Sequence, residues 1–218
     1  MGCIFSPNTA LRQYVEPWHF YAYASGSIAR EWILHRLFAY VFGALVAGAG
    51  WAQVPTPAVS NGQPQNLQAY VTGYSYWDNT PPKTVEISHS LRHRFAGGMG
   101  TFSNPITLAV GHQIIEGEDI LDFAPGTLFY LPRLRKYAMV EDTCGDGPTP
   151  QDGPCHSGKE GLMWLDIYVG GVSSDQAVSE QCMQDLTGAQ PVVMDPGPNM
   201  SVVVGPVTEG GCFIFPDP

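Results

Sequence analysis

Leu67-Gln68-Ala69-Tyr70-Val71-Thr72-Gly73-Tyr74-Ser75-Tyr76 sets Leu67, Ala69, Val71, Gly73 and Ser75 on one side of an extended chain, with Gln68, Tyr70, Thr72, Tyr74 and Tyr76 on the other. Its alternation is nearer a period of two than the helical period, so it reads as a strand with unlike faces. Working outward, strand-like runs recur at residues 106–110, 127–132, 136–142, 163–169 and 200–204, with 212–215 as a last edge. Clusters of Gly, Pro, Asn, Asp and Ser separate them. Residues 174–186 hold the best helical pattern, with acids early and Leu186 late. Six or seven short strands at this spacing indicate an all-β small closed barrel or a sandwich, and periodicity alone does not choose between them.

The bulk numbers agree with a β domain. Apolar residues are 44% of the 218, enough for a core, while charged residues are only 14%, so solubility leans on neutral polar side chains. The 25 Gly and 19 Pro residues suit tight turns better than long helices. A net charge of −10 argues against nucleic acid, whose binding needs clustered Lys and Arg. The densest basic run is Arg133, Arg135 and Lys136.

Residues 37–50 are all apolar, aromatic or Gly, with His35 and Arg36 before them and small residues at Gly50 and Ala52. That pattern is expected of a secretory signal peptide cleaved after Ala49 or Ala52. The run is too short for a spanning helix, so no membrane attachment is expected after cleavage. Residues 1–35, with Glu16 and Glu31, extend beyond an ordinary basic flank. The domain plan is therefore a signal segment with an N-terminal extension at 1–52, a flexible lead-in at 53–66 and one domain at 67–218. The protein is expected to be secreted, extracellular and monomeric.

Cys144, Cys155, Cys182 and Cys212 lie in the exported part, whereas Cys3 precedes the apolar run. Four cysteines in an exported chain imply two disulfides with three connectivities. We favour Cys144 with Cys155 and Cys182 with Cys212, each closing a Gly/Pro-rich loop. Zinc is the competing reading, against which the chain has no Cys-x-x-Cys pair. Asn199-Met200-Ser201 is a glycosylation sequon.

Four segments carry a family resemblance. Val71-Thr72-Gly73-Tyr74-Ser75 resembles the opening strand of the three-aspartate domains of lytic transglycosylases. Leu108-Ala109-Val110 followed by Pro125-Gly126-Thr127-Leu128-Phe129-Tyr130-Leu131-Pro132 resembles their next strand pair. Val140-Glu141-Asp142-Thr143-Cys144-Gly145 looks like their acidic turn, and equally like the Val-x-Asp-x-Cys of expansins and barwins. Trp164-Leu165-Asp166-Ile167-Tyr168-Val169-Gly170 resembles the strand of the third aspartate. The likeness spans about residues 67 to 171. It implies a six-stranded double-psi β-barrel, as in expansins, barwins and family-45 endoglucanases. Gly111 stands where the family's first aspartate is expected, and the insertion at 145–161 is foreign to the bacterial domains.

The resemblance implies roles. Asp166 matches the family's catalytic acid, and its apolar neighbours would raise its pKa, as a general acid near neutrality requires. Asp142 would face the same cleft. Asp78, in Tyr76-Trp77-Asp78, resembles the family-45 general base, although alignment on Thr72-Gly73-Tyr74 puts that position on Tyr76. Tyr74, Tyr76 and Trp77 are candidate sugar-binding aromatics, and His93 and His112 candidate hydrogen-bond donors to substrate. His89, His93 and His112 as a metal cluster is the weaker alternative, so neither metal nor cofactor is expected. The function implied is binding and remodelling of a wall polysaccharide (peptidoglycan, chitin, cellulose or β-glucan), with Asp166 cleaving glycosidic bonds. A non-catalytic barrel of expansin or barwin type, acting in defence or inhibition, is the alternative.

Overall fold

The computed structural model describes residues 62–218. The expected signal segment and most of the lead-in lie outside these residues. Among the described residues eight strands form: β1 (Gln65–Tyr74), β2 (Ile106–Val110), β3 (His112–Ile115), β4 (Glu118–Leu121), β5 (Leu128–Leu131), β6 (Lys136–Thr143), β7 (Met163–Tyr168) and β8 (Gly188–Met194). Two helices, α1 (Pro154–Ser157) and α2 (Gln176–Leu186), lie either side of β7 in the chain. Among the described residues no helix is long and apolar enough to cross a membrane.

Six strands close into a mixed barrel in the order β1-β7-β2-β6-β5-β8, while β3 and β4 form a separate hairpin. The pairs β1–β7 and β2–β6 are parallel; the other barrel pairs are antiparallel. Closure removes the exposed edges that an open sheet of this size would present. Leu108, Phe129, Leu131, Val140, Leu165 and Ile167 are fully buried in the core. Each such side chain stabilises by about 1.5–3 kcal/mol relative to exposure.

The sixth barrel strand differs from the expected one. Residues 200–204 and 212–215 form no strand, and β8 supplies the closing contact to both β1 and β5. Pro191 within β8 obscures the pattern, because a proline lacks the N–H of a ladder. The structure accommodates it because β5 pairs only with Val193 and Met194, leaving Pro191 beyond that contact. Residues 200–204 instead are tied to β5 and β6 through single bonds, such as Val203 N–H to the Arg135 carbonyl and Lys136 Nζ to the Val203 carbonyl. β1 also starts at Gln65, two residues inside the expected lead-in.

Helix α2 packs on β1 at Gly73. A Cβ there would lie 2.9 Å from Val169 Cγ1 and 3.1 Å from Met183 Cγ, so the helix's approach requires glycine. The disulfide Cys182–Cys212 ties α2 to the C-terminal segment, and Cys144–Cys155 closes the loop after β6 onto α1; Cα–Cα distances are 5.7 Å in both.

Candidate functional site

Strand register builds the site. Thr72 on β1 is the partner of Asp166 on β7, Asp166 is the partner of Ala109 on β2, and Ala109 is the partner of Asp142 on β6. One row across four adjacent strands thus reads Thr72, Asp166, Ala109, Asp142. The last place depends on an irregularity: Leu108 pairs with Val140, but Ala109 pairs with Asp142, so Glu141 is skipped. A bulge of this kind re-aims side chains. Here it brings Asp142 level with Asp166, and the small Ala109 between them leaves room above.

That room is a cavity of about 460 Å³ lined by Ala109, Asp142 and Asp166 from the row, by Tyr74 at the end of β1 and Asp78 beyond it, and by Ser88 from the long connection to β2. Asp166 is half-buried and accepts a 2.7 Å bond from the Thr72 hydroxyl. Burial pushes its carboxyl up to about 7, Thr72 pulls the other way, and the charges of Asp78 and Asp142 add to the rise. A carboxyl so placed holds its proton near neutrality and is able to donate it.

Asp142 has a different environment. Its Oδ2 accepts from the Tyr74 hydroxyl at 2.9 Å, and its Oδ1 accepts from the Ser88 N–H, the Ser88 hydroxyl and its neighbour Thr143 N–H. Burial, followed by the nearby Asp142 charge, keeps the Tyr74 phenol well above its ordinary pKa, so it remains a donor. Asp78 is exposed on the cavity wall, with Oδ1 held by the Ser75 N–H at 2.8 Å and the Ser75 hydroxyl at 2.6 Å.

The wall is anchored by the skipped residue. Glu141 is fully buried and accepts from the N–H groups of Arg92 and His93, while His93 Nδ1 lies 2.5 Å from its Oε2. His93 Nε2 faces Asn104. This pair pins the 31-residue connection between β1 and β2, which delivers Ser88 to Asp142. His93 therefore stands behind the wall, outside the cavity lining. His112 is likewise engaged, with Nδ1 2.6 Å from Asp119 Oδ1 and Nε2 donating to the Gly145 carbonyl, which steadies the disulfide loop at the cavity rim. His89 turns to Ser88, and among the described residues no three His, Cys, Asp or Glu side chains form a metal-binding group.

Tyr76 and Trp77 also lie outside the lining; their rings meet edge-on at 5.4 Å, and Trp77 Nε1 donates to the Ser174 carbonyl. Of the expected site residues, the structure brings Asp166, Asp142, Asp78 and Tyr74 together on one cavity. Sequence reasoning missed Thr72, Ser88 and Glu141. Thr72 carried a signal, since it lies within the Val71-Thr72-Gly73-Tyr74-Ser75 segment that bears the family resemblance; Ser88 carried none.

Gly111 is explained by space. A Cβ there would stand 2.3 Å from Asp122 Oδ2 and 2.4 Å from the Cys155 carbonyl oxygen. Asp122 thus fills the place of a side chain at 111, and its Oδ1 lies 2.5 Å from His156 Nδ1 on α1. Burial raises the Asp122 pKa, against the opposing pull of His156.

The fold and cavity together define a closed, six-stranded mixed barrel with a carboxylate-lined cleft. Residues 66–213 match the family described as DDB_G0273701 N-terminal domain, and the chain belongs to that family. It is similar to the uncharacterized protein DDB_G0273701/DDB_G0273221 of Dictyostelium discoideum, with 26% identity over 163 residues, covering 73% of this chain. The match spans 65% of that relative's length. No solved structure matches.

Proposed function

We propose that this protein is a secreted barrel of the double-psi type that binds and remodels cell-wall polysaccharide, cleaving glycosidic bonds with Asp166 as general acid. The carrying observation is the half-buried Asp166 carboxyl, raised to about 7, in a cleft shared with Asp78 and Asp142. Two parallel pairs in an otherwise antiparallel closed barrel support the double-psi assignment. Two disulfides favour an oxidising compartment, in keeping with the apolar run at 37–50.

In this reading Asp166 gives its proton to the glycosidic oxygen as the bond to the anomeric carbon breaks. Asp78, oriented by Ser75, takes a proton from the water that attacks that carbon from the opposite face, and the configuration inverts. Such a pair of carboxyls works at a separation of about 6.5–9.5 Å, with the water between them. Asp142, saturated by donors, holds Tyr74 in place, and its charge adds to the burial that raises the Asp166 carboxyl.

A second reading, a gripping barrel of expansin or barwin type without turnover, draws on Gly111 in place of the family's first aspartate. Reducing-end release from chitin, peptidoglycan, cellulose and β-glucan, with Asp166→Asn as control, separates the two. Release by the wild type and none by the variant is expected. Binding without release would leave the gripping barrel.

A further inference from the structure

The cleft's charge bears on which glycan it takes. Five carboxylates line the cavity, Asp78, Glu86, Asp142, Asp146 and Asp166, and no Lys, Arg or His is among its lining residues. Their hydrogen-bond partners are neutral: Ser75 for Asp78, Tyr74, Ser88 and Thr143 for Asp142, Thr72 for Asp166, and the Thr80 hydroxyl for Asp146. Among the described residues, the ion pairs all involve other carboxylates, namely Glu141, Asp119, Asp122 and Asp217. Lys83 sits 5.8 Å from the centre of the Trp77 ring, outside the lining. The net charge of −10 adds a field of the same sign.

We infer that the cleft selects a polysaccharide carrying free amino groups, a partly or fully deacetylated amino-sugar polymer. This inference rests on the glycan reading above. A protonated amine offers three donors and a positive charge to carboxylates that no side chain neutralises. Uronates, lactyl or peptide carboxylates, sulfates and phosphates would meet repulsion at every wall, which disfavours peptidoglycan and pectin-like chains. A neutral glycan would bond to the same oxygens but leave the charge uncompensated. Asp166 contributes differently, because burial pushes its carboxyl up to about 7.

The test is calorimetric titration of the exported protein with hexamers of glucosamine, N-acetylglucosamine and galacturonic acid, at a pH where the amine is protonated and at low and high salt. The glucosamine hexamer is expected to bind at least about tenfold more tightly than the acetylated one at low salt, an advantage that shrinks as salt screens it. Glu86→Gln with Asp146→Asn, both exposed rim positions, should remove most of that advantage with unchanged thermal unfolding. Glu118→Gln on the β3–β4 hairpin, outside the lining, should not. Equal or tighter binding of the acetylated or galacturonate hexamer overturns the charge inference and leaves the glycan reading standing. An advantage untouched by the rim variants, or lost equally with Glu118→Gln, also overturns it. Binding of none of the three defeats both.

Discussion

Thr72 and Asp166 are register partners across the parallel β1–β7 pair, and the Thr72 hydroxyl donates to Asp166 Oδ1 at 2.7 Å. Trp164 Nε1 donates in turn to Thr72 Oγ1 at 2.8 Å, which orients the hydroxyl proton toward the carboxyl. The candidate acid is therefore held by strands rather than by a loop, with its rotamer fixed from one side and the cavity on the other.

Thr72→Val removes a hydrogen bond that favours the charged carboxylate. The Asp166 titration midpoint should rise above about 7, and any acid-dependent activity should extend to higher pH. A midpoint that falls would show that Thr72 does not act on this group.

Asp166→Asn should change how stability depends on pH. The Asp166 pKa is raised on folding, so between about pH 4 and 7 the native state keeps a proton that the unfolded chain has lost. The carboxyl then weakens the fold progressively across that window, by an amount on the order of 1–3 kcal/mol for a group facing a wet cleft. The variant retains an oxygen for Thr72 to bond and should lose this decline. Denaturant unfolding of both proteins at pH 4 and above pH 7 checks it; parallel pH profiles would contradict it.

His93→Ala strips the side-chain partner from Glu141, which is fully buried. Leaving a buried carboxylate with backbone donors alone should cost about 3–5 kcal/mol. The connection carrying Ser88 should loosen with it. Thermal unfolding and limited proteolysis between residues 75 and 105 read both effects, and wild-type behaviour in the two would refute the anchoring role.

Cys144→Ser with Cys155→Ser opens an 11-residue separation, and Cys182→Ser with Cys212→Ser opens one of 30. Each pair of changes should cost about 2–4 kcal/mol. Peptide mapping without reduction should recover 144 linked to 155 and 182 linked to 212. Free thiols or crossed links would contradict the pairing.

Much of this was legible in the residues. Period-two alternation at 67–76 placed β1, and the order of four short motifs placed Asp142 and Asp166 on neighbouring parts of one barrel. The disulfide pairing followed from loop composition. Other features depend on long-range geometry that local pattern does not encode. Pro191 hid β8, since the gap in β5 pairing that accommodates it exists only in the closed barrel. The β3–β4 hairpin was overlooked because its strands are only four residues each and β4 is largely exposed. His93 and His112 read as substrate donors because histidines in polar loops often are; their carboxylate partners Glu141 and Asp119 lie 48 and 7 residues away. The skip at Glu141 that levels Asp142 with Asp166 is likewise visible only in the pairing of β2 with β6.

The central claim is that Asp166 keeps its proton near neutrality at the floor of the cleft. Carbon-detected NMR of the aspartate carboxyls, with Asp166→Asn to assign the resonance, follows that proton directly. The account predicts a midpoint at about 7 for Asp166. An Asp166 carboxyl that titrates near the ordinary aspartate value of about 4 would contradict it.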